Sequence, residues 1–546
     1  MEQVDWDDVQ GPVLSGYPLA RYAAYIPWRF ISPEDSTERL QDSKEWLRAL
    51  AERLMRADQA DRSAGDEPKR PTSLKSMKVH GKKEGEGVWV VNATLTITGL
   101  KKLGVGEQEL AQFSTEFCEG MAPKKPAQGM PRRCNILGDL EKNSPEHWIW
   151  GGWTDNGEID GMLLLFAASA ASLKALIREE LTKMRGAKPL VDPGRPPAPL
   201  ILRAQINDKE HFGFTDGISQ PIIGGTPEAK RATPKEERIL VVAPGEFVLG
   251  YPNERGERLG YPGEFSIKAA SKHGSRDLVR NGSYLVFRHL EQNVPAFRAA
   301  VSQAARRMGA KTDWVAARLV GRSQDGSPLI QPAAEPASKT PRNDFLYHFE
   351  DPFGLECPLG AHIRRANPRD IIGPDPDTAL RLSKMHRIIR RGRSYGDPFT
   401  VPEKAEAVGE GQSEPGKAPV KQEGGADAAA DYKSDERGLF FICLNANIAG
   451  QFELIQHSWV NNGRFNGLQD EADPVLNYPG QTRVLTIQRR PTCDPVVSFD
   501  QFVRVRGGAY FFLPGISALL SLTEAPSLIT AAQGNRKTTK TTMGRA

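Results

Sequence analysis

Residues 211–225 read H-F-G-F-T-D-G-I-S-Q-P-I-I-G-G. Gly213 and Gly217 flank Asp216, and Phe212 and Phe214 bring apolar bulk close to that acid. Glycines let a backbone turn tightly and approach a ligand closely. An acid held among aromatic rings is poorly solvated, so its charged form is disfavoured. That is how a carboxylate becomes a usable proton shuttle. Taken alone, the residues read more readily as a Gly-Asp-Gly surface turn, where Asp is common for local hydrogen-bonding reasons. The stretch also divides the chain, because strands and helices follow one another in a similar order on either side of it.

On the N-terminal side, Tyr22 to Ile31 reads as a strand, with Pro27 suggesting an edge or a bend. Ser36 to Met55 places Leu40, Trp46, Leu47, Leu50 and Leu54 at helical spacing. Val88 to Ile97 and Gly161 to Ala168 are strands, and Ser169 to Met184 is a helix. On the C-terminal side, Arg238 to Leu249 and Gly282 to Leu290 read as strands and Asn293 to Met308 as a helix. Leu439 to Asn447 is a strand, Gln451 to Val460 a helix, Phe502 to Leu513 a late strand, and Ser517 to Leu522 begins the last helix. The halves match in element order and not residue by residue. This split β-α-β grammar predicts the α+β class, with antiparallel sheets under helices. The expected domains are 1–225, ending in G-F-T-D-G, and 226–533. Asp58 to Gly87 is dense in charge, Gly and Pro and reads as a long loop. Lys404 to Glu436 has almost no large apolar residue and is expected to be a disordered insert. Residues 534–546 form a polar, basic tail.

The chain has 546 residues, 39% hydrophobic and 26% charged, which is ordinary for a globular protein. Its 72 basic and 68 acidic residues leave a net charge of +4, too balanced to argue for nucleic acid or an anionic membrane. Five cysteines, at 118, 134, 357, 443 and 493, are too widely spaced for a disulfide framework or a zinc cluster. They suit buried free thiols in a reducing compartment. The N-terminus lacks a basic region followed by an apolar run, and the most apolar run, Met162 to Ala171, is too short to span a bilayer. A cytoplasmic protein is expected.

Gly360 to Asp370 reads G-A-H-I-R-R-A-N-P-R-D, so His362 has Arg364, Arg365 and Arg369 close by in sequence. Like charge nearby disfavours the imidazolium, and neutral imidazole is the form that binds a metal. A loop His with a packing role is the competing reading. Arg387 to Gly396 reads R-I-I-R-R-G-R-S-Y-G. A basic run is usually a solvated face or an anion site. Ile388 and Ile389 interrupt this one, which points at least one arginine inward.

These three stretches, in this order, resemble the dye-decolorising peroxidases, a haem family. The resemblance extends to V-Q-G-P-V-L-S-G-Y, P-G-E-F-V-L-G-Y, N-G-S-Y-L-V-F-R, Q-F-E-L-I-Q-H-S-W and R-G-G-A-Y-F-F-L-P-G. It covers most of the chain outside the polar tracts. A G-x-x-D-G alone would be weak, whereas the ordered set is highly specific. The resemblance implies two ferredoxin-like halves with one haem b per chain, bound mainly by the C-terminal half. It implies that hydrogen peroxide oxidises organic one-electron donors, including dyes and phenolic compounds.

By the same resemblance, His362 is the iron ligand and Asp216 moves a proton between the peroxide oxygens. Arg390 stabilises the charge that develops, and its choice over Arg391 comes from counting back from Tyr395-Gly396. Arg365 either meets a haem propionate or pairs with Asp370. Glu453 is the candidate acceptor for the other N–H of His362, with a surface helix Glu as the competing reading. His457 and Trp459 read as packing. Two features depart from the family pattern: Gly373-Pro374-Asp375-Pro376-Asp377 lengthens the interval from His to Arg, and the tract at 404–436 looks inserted. The rival class is a haem-binding or haem-delivery protein with incidental peroxidase activity, which needs His362 but neither Asp216 nor Arg390. The presence of all three favours the enzyme.

Overall fold

The computed structural model describes residues 2–31, 37–61, 89–207, 209–259, 277–330, 342–397, 436–476, 484–497 and 501–524. The first half supplies β1 (Tyr22–Phe30), β2 (Trp89–Leu95), β3 (Gly161–Ala167), β4 (Ala187–Pro189) and β5 (Leu202–Gln205). Two short strands, β6 (Ile222–Ile223) and β7 (Val241–Val242), follow and pair with each other. The second half supplies β8 (Ser283–Gln292), β9 (Ile389–Arg390), β10 (Arg393–Tyr395) and β11 (Gly438–Asn445). After these come the hairpin of β12 (Val484–Ile487) and β13 (Asp494–Val497), and last β14 (Val503–Leu513).

Four strands of the first half lie side by side in the order β5-β1-β3-β2, and four of the second in the order β14-β8-β11-β10. Ranked by chain position within each half, both orders are fourth-first-third-second. All neighbours within each set are antiparallel. A helix follows the first and third strand in both halves. In the first half these are Thr37–Ala51 and Ala170–Lys183. In the second they are Val294–Met308 and the two π-helical turns Ala449–Glu453 and Ile455–Val460. This is the ferredoxin-like arrangement, a repeat of topology where the residues themselves show none.

The halves join edge to edge at two seams, Leu95 opposite Phe512 and Gln205 opposite Ser394. Because β10 also pairs with β11, eight strands close into a ring. Side chains alternate along each strand. Tyr25 on β1 meets Phe287 on β8 and Phe440 on β11 edge-on, with ring centroids 5.1 and 5.7 Å apart. Tyr25 belongs to the other half, on a strand that neighbours neither β8 nor β11, so the three rings fill the inside of the ring. Burying such a side chain contributes about 1.5–3 kcal/mol. The alternate residues Arg288, Leu290, Leu439 and Phe441 face outward, toward the helices of the second half, and there they line a cavity.

Side-chain caps start two of the long helices. The Ser169 hydroxyl accepts from Ser172 N at 3.1 Å, and Asn293 Oδ1 accepts from Ala296 N at 3.1 Å. Two expectations need correction. Pro27 is neither at an edge nor at a bend: β1 is interior, paired with β3 on one side. On its other side β5 covers Tyr22–Tyr25 and β4 covers Trp28–Phe30, and Pro27 falls in the gap between them. Its carbonyl accepts from Leu190 N in that gap, so its missing N–H breaks no ladder bond. The strand expected over Arg238–Leu249 is broken up: Arg238–Leu240 end a helix, Pro234–Leu240, and Pro244–Glu246 form a tight helical turn. Thr233 and Glu236 form a reciprocal capping box that starts the helix, and only Val241–Val242 remains extended.

The loop expected at 58–87 begins inside a short helix, Ala57–Asp61, and its remainder lies outside the described residues. The insert, up to residue 435, and the tail at 534–546 also lie outside them. Among the described residues no helix is long and apolar enough to cross a membrane. The five cysteines are free; Cys134, Cys357 and Cys443 are buried, Cys118 is half-buried, and Cys493 is exposed.

Candidate active site

Glu210 shapes the loop that carries Asp216. Its carboxylate accepts from Phe212 N and Phe214 N, both at 2.9 Å, and from the Gln292 amide of β8 at 2.7 Å. Phe212 stacks on Phe297 of the helix Val294–Met308 with centroids 4.4 Å apart. Gly213 and Gly217 have φ of +101° and +82°, a region that strains residues with a side chain. The loop is thereby pinned to the sheet and a helix, and Asp216 projects into the cavity.

Asp216 Oδ1 accepts from Arg390 Nη1 at 2.7 Å and from Gly217 N at 2.6 Å. A third residue, which sequence reasoning missed, holds this pair together. The Gln220 amide brackets the backbone of Arg390, donating to its carbonyl and accepting from its N–H, both at 3.0 Å. Ten residues, 211–220, therefore contain both the acid and the clamp on its arginine.

The aromatic neighbours were expected to raise the proton affinity of Asp216. Burial does push its carboxyl up, but Arg390, the Gly217 N–H and His362 outweigh burial and hold it below the usual carboxylate range. The side chain is 40% exposed, and it lines the cavity. Asp216 is therefore held in its ionised form.

His362 opens the short helix His362–Ala366. Its Nδ1 lies 3.0 Å from Asp473 Oδ2 and 3.2 Å from Oδ1, so the ring donates there and Nε2 remains on the other side. Asp473 is fully buried and also accepts from Val475 N at 2.9 Å and Leu476 N at 2.7 Å. Burial alone would raise its carboxyl, but His362, Arg365 and the Leu476 N–H hold it below the usual range.

The structure puts Asp473, and not Glu453, beside the ring. Glu453 is buried in an ion pair with Arg133, and it accepts from the Tyr510 hydroxyl at 2.7 Å. Nor do the neighbouring arginines crowd His362, because successive residues of a helical turn point in different directions. Arg364 donates to Asp351 and to Cys357 O, and Arg369 to Asn343 and Phe345 O. Arg365 donates to the carbonyls of Gly360, Asn462 and Glu471 at 2.7–3.0 Å and does not line the cavity. It meets neither a cavity ligand nor Asp370, whose carboxylate accepts from Tyr347 N and His348 N. Arg365 instead ties the His362 turn to the segment that carries Asp473.

The cavity encloses about 300 Å³ between the outward face of β8, β11 and β14 and the helical segments that carry His362 and Trp459. Leu290, Leu439, Phe441, Phe452, Val503 and Val505 make its walls apolar. Among the described residues two acids line it, Glu210 and Asp216, against five arginines: Arg288, Arg322, Arg369, Arg387 and Arg390. Trp459 packs edge-on against His386, 5.4 Å between centroids, whereas His457 is exposed.

Among the described residues no group of three or more His, Cys, Asp or Glu side chains is placed to hold a metal by itself. One histidine, oriented by a carboxylate on Nδ1, suits a metal that brings its equatorial ligands with it, as haem does. The apolar walls suit a macrocycle. The Arg387 Nη2, buried without a partner among the described residues, suits an anionic group on the ligand. The residues present fit haem.

No family model matches the chain. The multifunctional dye peroxidase DyP2 of Amycolatopsis is 30% identical to it over 380 residues, 67% of this chain and 71% of that protein. The chain belongs to the dye-decolorising peroxidase family. A dye-decolorizing peroxidase of Exidia glandulosa is 28% identical over 455 residues, covering 79% of this chain and 74% of its own length. Solved structures agree on the fold. The DyP-type peroxidase of Anabaena matches with a TM-score of 0.67 at 22% identity, over 95% of this chain and 94% of that one. That of Auricularia auricula-judae matches with a TM-score of 0.67 at 24% identity, over 96% and 100%. As a dye-decolorising peroxidase, this protein is a haem oxidoreductase that takes hydrogen peroxide and a reducing substrate.

Proposed function

We propose that the enzyme binds one haem b per chain through His362, and that Asp216 and Arg390 activate hydrogen peroxide beside it. The observation that carries this reading is the 2.7 Å pairing of Asp216 with Arg390 in the cavity that His362 also lines. When bound, the haem supplies the electrons and the site at which the O–O bond is split.

Asp216, held ionised, takes a proton from one oxygen of hydrogen peroxide and returns it to the other, which then carries two protons and leaves as water. The Arg390 guanidinium stabilises the negative charge that builds on the departing oxygen, in a cavity whose apolar walls strengthen that interaction. Gln220 keeps Arg390 within reach of the acid. Asp473 fixes the His362 ring and favours Nε2 as the metal-binding nitrogen. Organic one-electron donors, dyes and phenolic compounds among them, are the small-molecule reductants. Free cysteines suit a reducing, cytoplasmic setting.

The test is stopped-flow mixing with peroxide. Asp216→Asn and Arg390→Leu should both retain haem, and at least one should react about 100- to 10,000-fold more slowly. If both react at the wild-type rate with haem intact, the distal assignment fails and a haem carrier becomes the better reading. His362→Ala should lose tightly bound haem or its axial spectrum.

A further inference from the structure

Of the five arginines that line the cavity, four are committed elsewhere. Arg288 makes a two-pronged pair with Asp139, at 2.5 and 2.7 Å. Arg322 donates to Gly326 O at 2.8 Å and to Arg342 O at 3.1 Å. Arg369 donates to Asn343 O, Asn343 Oδ1 and Phe345 O within 2.9 Å. Arg390 holds Asp216.

Arg387 is different. It is only 7% exposed, its Nη1 has one long bond of 3.4 Å to Asn367 Oδ1, and its Nη2 has no partner among the described residues. Among the described residues no carboxylate in the cavity wall is free to meet it, since Glu210 and Asp216 are both engaged. Its position is also held, because the Gln451 amide donates to its carbonyl at 2.5 Å. A buried charge without a counter-ion is unfavourable, and a guanidinium is shaped to take two oxygens of one carboxylate. Burial, then Arg369 and Arg390, push the Arg387 group down to about 9. Arg387 touches Asn367, the residue after the His362 helix, and stands three residues before Arg390. It therefore bridges the two elements that carry the site.

We infer that Arg387 is a carboxylate seat built into the cavity, and that its occupant is a propionate of the bound haem. This rests on the haem reading above. It also reassigns the role first expected of Arg365, whose donors are turned to backbone carbonyls. The alternative source of the same chemistry is the carboxylate of an acidic organic substrate.

The two sources separate in a reconstitution experiment. Apoprotein of the wild type and of Arg387→Leu is titrated with haem b and with its dimethyl ester, which lacks free propionates, and binding is read from absorbance. Haem b should bind about 10- to 100-fold more weakly to Arg387→Leu, the loss expected when a hydrogen-bonded charge loses its partner. The ester should bind wild type and variant alike. Equal losses for both ligands, or no loss for either, overturn the propionate assignment, and weaker binding of an acidic reductant to the haem-loaded variant would then point to the substrate. If the wild type takes up neither ligand, the haem reading itself fails. Should Arg387→Leu not fold, Arg387→Gln keeps the size of the side chain and removes the charge, and the same comparison applies.

Discussion

Asp473 Oδ2 lies 3.0 Å from Nδ1 of His362, and Asp473 has no exposure to solvent. A buried carboxylate on one nitrogen makes the other more electron-rich, which strengthens its hold on a metal and favours the metal's higher oxidation state. Asp473→Asn keeps the shape and removes the charge. The variant should bind haem about 10- to 100-fold more weakly and have a more positive reduction potential. Glu453→Gln is the control. It breaks the buried pair with Arg133, which keeps Glu119 as a partner, so thermal unfolding should show a loss of about 1–3 kcal/mol. Its haem spectrum and potential should be unchanged. If Glu453→Gln moves the potential and Asp473→Asn does not, the structure's choice between these carboxylates is wrong.

That choice marks where the sequence stops being legible. Asp216, Arg390 and His362 sit in stretches whose glycines and arginines are unusual over ten residues, and all three line one cavity. Most strands and long helices were also readable, because their burial follows periods of 2 and 3.6. Asp473 lies in E-A-D-P, an ordinary loop with no local signal, and only tertiary folding brings it to His362. Arg365 was misread for the same reason: a sequence shows a charge but not which carbonyls it meets. Gln220 was in plain view beside the distal motif. Its signal was an amide four residues after the acid, and its partner was the backbone of a residue in the other half.

Arg390 should set the acid limb of the pH profile. The folded-state affinity of Asp216 for a proton is depressed, so the ionised form persists through the usual carboxylate range and is lost only as the pH falls below it. The wild-type rate with peroxide should therefore hold down to pH values below about 3.9, the ordinary Asp value, in so far as the fold survives. In Arg390→Leu the opposing effect of burial remains while the strongest pairing is gone. The midpoint of the acid limb should then move upward, apart from any fall in the maximal rate. Stopped-flow rates measured from pH 3 to pH 8 read that midpoint directly. An unmoved midpoint would show that Arg390 does not govern the charge of Asp216.

Inside the ring, His289 on β8 is a liability in acid. It is 3% exposed, its Nδ1 has no partner among the described residues, and its ring packs edge-on against Tyr395 and Phe440 at 4.9 and 4.8 Å. Burial, with a further push from Arg506, lowers its affinity for a proton until the group titrates at about 3. The unfolded chain takes up that proton near 6.5, so between these values it binds more protons than the folded protein does, and stability falls as the pH drops. At pH 5 the penalty from this one group is about 2 kcal/mol relative to neutral pH, at 1.36 kcal/mol per pH unit below 6.5. His289→Phe fills a similar volume and removes both the titration and the unpaired nitrogen. At pH 7 it should be as stable as the wild type or more so, since the lost nitrogen was already unsatisfied. At pH 5 its urea midpoint should fall by less, and the difference between the two proteins should widen by about 2 kcal/mol. Parallel losses in wild type and variant would mean that His289 takes up its proton within the folded ring.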